Sequence, residues 1–84
     1  MKATYTPINC SYYDRLEAWA TLRETCSIIW SDQDGITRQV NSKINDLLLN
    51  DGVEYLVGEN HLHIRLDQLI YVNGIPLPGG SCVI

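Results

Sequence analysis

The sequence predicts a small α+β domain that is mainly β, with one N-terminal helix on a strongly bent antiparallel barrel of about five short strands. Three observations predict it. Near the start, apolar residues recur with the period of a helix; after that they alternate in short runs; and Asp-Gly, Glu-Asn and Asn-Gly pairs separate the runs. The 84 residues form a single domain, 1–84. A chain of this size buries only about 60–65% of the surface its unfolded form exposes.

The elements follow in order. Pro7 and Ile8 favour an extended lead-in. Ser11, with Asp14 three residues on, is an N-cap signal, and Asn9 competes with it. Tyr12, Leu16, Trp19, Ala20 and Arg23 then share one helical face, Arg23 through its aliphatic stem, which places a helix at about residues 11–23. Cys26, Ile28 and Trp30 alternate as a strand does, Asp32 to Gly35 supply a turn, and Ile36 to Val40 read as the returning strand. Trp19 and Trp30 are expected to be largely buried. Ser42 to Asn50 read differently: Ile44, Leu47 and Leu48 at i, i+3, i+4 fit a short helical turn ended by Asp51-Gly52.

Val53, Tyr55 and Val57 give a third strand, and Glu59-Asn60 a turn. His61 to Asp67 is the cleanest alternation, with Leu62, Ile64 and Leu66 inward. It breaks at Asp67-Gln68, where a bend would let one long run serve two parts of a curved sheet before Leu69 to Val72. Asn73 to Gly80 read as a loop, and Ser81 to Ile84 as a last strand. The pattern does not separate an Sm-like barrel from an SH3-like or OB-like one.

Composition narrows the function. Ten acidic against six basic residues give a net charge of -4. That balance speaks against phosphate-backbone binding, which relies on Lys and Arg, and it suits a basic protein partner. Cys10, Cys26 and Cys82 are odd in number and widely spaced, which fits a reduced, cytoplasmic chain better than a disulfide framework. Met1-Lys2 and the polar stretch after it do not resemble a signal peptide, and the run Leu69 to Val72 is far too short to span a bilayer.

One constellation stands out. Tyr13, Asp14, Glu17, Thr21 and Glu24 fall within roughly one third of the helix circumference, away from the apolar face. Ala18 and Thr21 stand four residues after Asp14 and Glu17, so no i, i+4 ion pair neutralises the stripe. The plainer reading is a solvated face that complements the helix dipole, worth about 0.3–1 kcal/mol per carboxylate. Exposed Tyr13 favours a contact surface. His61 and His63 project from one strand face as a metal pair would, but no further ligands stand at a recognisable spacing, so two solvent-facing histidines is the simpler account. The cysteines read as small hydrophobes, and no histidine stands near Cys10 to activate it. Neither an enzyme motif nor a cofactor-binding motif is found.

The opening Tyr5-x-Pro7-Ile8-Asn9-Cys10-x-x-Tyr13-Asp14-x-Leu16-Glu17 resembles the signature of the Rof family, small bacterial inhibitors of the transcription termination factor Rho. Asp46-Leu47, Val53 to Val57 and Arg65 to Leu69 resemble that family's later blocks, in order. The match is weakest between Ile36 and Ser42 and after Val72. The resemblance implies a helix on an Sm-like barrel. It also implies a monomer when free, with no cofactor and no direct contact with nucleic acid or membrane, that binds the N-terminal RNA-binding region of Rho and obstructs RNA loading. Tyr13, Asp14 and Glu17 match the family's contact helix, and the implied interface extends to the loop at Asn50 and Asp51. Family members carry acidic residues directly after the Cys, where this chain has Ser11 and Tyr12. An Sm-like RNA-binding module is the alternative, and the charge balance opposes it.

Overall fold

The computed structural model describes residues 8–78. Its elements are α1 (Cys10–Leu22), β1 (Thr25–Ser31), β2 (Thr37–Asn50), β3 (Val53–Gly58), β4 (His63–Arg65), β5 (Leu69–Val72) and β6 (Ile75–Pro76), with a 3-10 turn at Leu66–Gln68. The α+β, mainly β class is what the chain adopts. Among the described residues six strands, against about five expected, form one antiparallel sheet in the order β4-β3-β2-β1-β5-β6. Among the described residues no ladder joins the two edges, so the barrel is not closed. The strand expected at Ser81 to Ile84 lies outside the described residues.

Asn9, not Ser11, caps the helix. Its side-chain oxygen accepts the N–H groups of Ser11 at 2.9 Å and Tyr12 at 3.3 Å, two of the donors a helix start leaves without partners. The helix ends at Leu22. Arg23 adopts a left-handed cap at φ 56° and donates its N–H to the Ala20 carbonyl. Arg23 is therefore exposed cap rather than buried face, and Glu24 falls beyond the helical stripe.

The segment read as a helical turn, Ser42 to Asn50, is instead the second half of one 14-residue strand. A bulge explains the misreading. On β2 the pairing steps from Ile44↔Gly58 to Asp46↔Val57, leaving Asn45 unpaired. The extra residue moves the next inward position from three-quarters of a helical turn away in appearance to a strand in fact: Ile44 is buried and Leu47 half-buried, three residues apart. The two halves of β2 serve different neighbours, pairing with β1 from Thr37 to Lys43 and with β3 from Ile44 to Asn50. β4 then pairs with β3, while β5 pairs with β1. The 3-10 turn between them is the predicted bend at Asp67-Gln68, and it carries the chain from one part of the curved sheet to the other.

Asp51-Gly52 and Asn73-Gly74 each link strands in a two-residue hairpin with both residues at positive φ, between 54° and 80°. That geometry suits Asp, Asn and Gly and matches the sheet twist. The second hairpin creates β6 inside the stretch expected to be loop. His61 also has positive φ and sits in a turn, so it does not share a strand face with His63.

The core collects Ile8, Tyr12 and Leu16 from the helical end, Cys26, Ile28, Ile44 and Leu56 from the central strands, and Ile64, Leu66, Leu69 and Val72 from the rest. Tyr12 ties the layers together. Its hydroxyl donates to the Ile75 carbonyl at 2.6 Å and accepts the Val72 N–H at 3.1 Å, so a buried polar group has both partners. Trp19 and Trp30 are half-buried, less than expected; Trp19 stands edge-on to Tyr12 with ring centres 6.5 Å apart. Cys26 is free and buried, but Cys10 is disulfide-bonded, which corrects the expectation of a wholly reduced chain. Among the described residues no helix is long and apolar enough to cross a membrane.

Candidate protein-binding surface

The helix lies against β2, and the seam between them is an open groove of about 290 Å³. Tyr13, Glu17, Ala20 and Thr21 line it from α1, and Asn45, Asp46 and Leu47 from β2. Both walls follow from local structure. On α1, positions 13, 17, 20 and 21 share a face by helical spacing. On β2, the bulge at Asn45 turns Asp46 outward and Leu47 toward the core.

Tyr13 is half-buried and packs against the core through its ring. Its phenol is held above its ordinary pKa, first by burial and then by the negative charges of Glu54, Glu17 and Asp46. Three carboxylates from three elements therefore act on one hydroxyl. Among the described residues none that lines the groove is cationic. A concentration of negative charge beside a neutral phenol, whose oxygen can accept a hydrogen bond, is suited to a cationic side chain, for which the Tyr ring also offers a π face.

The five residues singled out from sequence divide. Tyr13 and Glu17 line the groove together. Asp14 is exposed on the helix but outside the lining. Asn50 and Asp51 are exposed at the β2–β3 turn, likewise outside it. The turn adjoins the Leu49↔Glu54 pair, and Glu54 is one of the charges acting on Tyr13, so the turn borders the same acidic surface. Leu49, 73% exposed, gives that border an apolar point.

Asp46 and Glu54 were missed as site residues, although both fall within the blocks that carry the resemblance. Reading Ser42 to Asn50 as helical removed the strand that brings Asp46 opposite α1. Among the described residues no group of three His, Cys, Asp or Glu side chains could hold a metal ion. The Cys26 thiol is pushed up by burial.

No family model matches the chain, and no curated protein matches it.

Proposed function

We propose that this chain inhibits Rho-dependent transcription termination, by laying its acidic helix–strand seam on the N-terminal RNA-binding region of Rho and blocking RNA loading at the primary site. The observation that carries the reading is the groove between α1 and β2 in which Glu17 and Asp46 stand beside Tyr13, with the charge of Glu54 also acting on that phenol. It supplies negative charge and a phenol oxygen able to accept a hydrogen bond where a surface built to hold RNA must be basic. The sequence resemblance supplies the partner. Asp14, Asn50 and Asp51 would extend the contact on either side of the seam. The reading places the protein in the cytoplasm, where the Cys10 disulfide would be reduced, as a monomer when free, with no cofactor and no nucleic-acid contact of its own.

The test is calorimetry of the purified chain against the N-terminal region of Rho, followed by competition with RNA. Saturable binding and release of RNA are expected. Absence of binding, or a ternary complex that keeps its RNA, would sink the proposal. An RNA-binding module remains the reading that barrel folds suggest by analogy, and the same RNA titration against the chain alone separates the two.

A further inference from the structure

The acidic groove does not end at Asn45. A second recess of about 330 Å³ continues from it toward the C-terminal end of α1, lined by Ala20, Thr21, Arg23, Lys43, Ile44 and Asn45. The two share Ala20, Thr21 and Asn45. Their charges are opposite, because among the described residues the second recess has two cations and no carboxylate in its lining.

Local structure puts both cations there. Arg23 is the helix cap, where exposed carbonyls favour a positive charge. That gives Arg23 a structural reason to be basic, but it gives none for Lys43, which is on β2 two residues before the bulge. Neither residue takes part in the ion pairs Arg38–Asp32 and Arg65–Asp67. The nearby Glu59 carboxylate accepts the backbone N–H of Lys43 at 3.1 Å.

We propose that this second recess is an anion site, and that it seats a carboxylate side chain of the same protein partner whose cationic group enters the acidic groove. The proposal rests on the function proposed above. A protein surface can present both signs side by side, whereas a nucleic-acid strand that placed one phosphate at Arg23 and Lys43 would run its next phosphates past Glu17 and Asp46. The crevice thus reads a pattern of charge, and a partner that is merely basic meets repulsion at one end.

The test compares the parent, Glu17→Lys and the double variant Arg23→Asn, Lys43→Gln by calorimetry against the N-terminal region of Rho. Asn tolerates the left-handed backbone at position 23. Circular dichroism checks the fold, and Lys43→Gln alone, at an exposed strand position, serves if the double variant fails to fold. The double variant makes the chain two charges more negative, so attraction to a uniformly basic surface would tighten. A loss of about tenfold or more supports the anion site, being the scale of removing one member of a close charge pair. Binding equal to or tighter than the parent overturns it, even where Glu17→Lys binds weakly and the proposed function stands. If the parent itself does not bind, the proposed function fails and this inference falls with it.

Discussion

Tyr13 stays protonated well beyond neutral pH, because burial and three carboxylates all disfavour the phenolate. It therefore enters any interface as a donor. The residues around it differ in what their loss would do. Glu17 lines the groove, so Glu17→Lys sets two like charges face to face with a cationic partner, at a cost of about 2–5 kcal/mol if the contact is desolvated. Asp14 stands outside the lining, and Asp14→Lys should cost nearer the rim value of about 1 kcal/mol or less. Asp34→Lys, in the exposed β1–β2 turn, is the control and should bind as the parent does. Calorimetry gives the order of the three, and circular dichroism should show an unchanged fold in each. Equal losses from Asp14→Lys and Glu17→Lys would mean that the groove is not the focus of the contact. The acidic stripe could be found from spacing, but the focus on Glu17 could not, since it depends on which part of the stripe faces β2.

Each hairpin hangs on a few side chains, and the β1–β2 hairpin hangs on Asp32. Its carboxylate takes the Arg38 guanidinium and accepts the N–H groups of Asp34 and Ile36, at 2.9 and 3.0 Å. The Arg38 hydrogen bond is the main reason that its pKa lies below the ordinary Asp value, with the Ile36 N–H next. A depressed carboxyl contributes stability that is present above its unfolded pKa and is lost as pH falls through the folded one. Thermal unfolding followed below the ordinary Asp range should show that loss in the parent, and a flatter acid limb in Asp32→Asn. Gly58 acts by having no side chain: a Cβ there would lie 2.7 Å from the Ser42 hydroxyl and 2.8 Å from Leu62. The hydroxyl is buried and already bonded to the Lys43 carbonyl and the Glu59 N–H, so Gly58→Ala should destabilise by about 1–3 kcal/mol in urea unfolding. The helix start, by contrast, does not depend on the disulfide alone. Asn9 caps it and the Tyr12 hydroxyl anchors it, so reduction of the Cys10 bond should leave the helical circular dichroism signal in place. These elements differ in how far the sequence revealed them. Helix, first hairpin and third strand follow from periodicity, because each repeats without interruption. The far half of β2 does not, because one bulged residue gives Ile44 and Leu47 a helical spacing. Asp46 and Glu54 were lost with it, since a cross-element site is visible only once the register is known.

Fold and charge point in different directions across the whole molecule. A small bent β domain is a common platform for RNA, yet this one carries a net charge of -4. Of its six basic residues, Arg38 and Arg65 are paired with Asp32 and Asp67, while Arg23 and Lys43 line one recess beside acidic neighbours. Among the described residues they form no continuous basic track of the kind that neutralises successive phosphates. Different outcomes should follow for the two candidate partners. The chain alone should show no binding to single-stranded RNA at physiological salt. Its association with the N-terminal region of Rho should be fast and should weaken as salt rises, because long-range attraction between an acidic seam and a basic surface is screened beyond about 8 Å at 0.15 M ionic strength. The loss should appear mainly in the association rate, since rim and long-range charges steer encounter while desolvated contacts at Tyr13 and Glu17 hold the complex once formed. Surface plasmon resonance over a series of salt concentrations measures both rates. An association rate indifferent to salt would remove the electrostatic basis of the proposed function. Tight, salt-sensitive RNA binding by the chain alone would show that the curved sheet works as its architecture suggests and that the acidic seam serves some purpose other than displacing RNA.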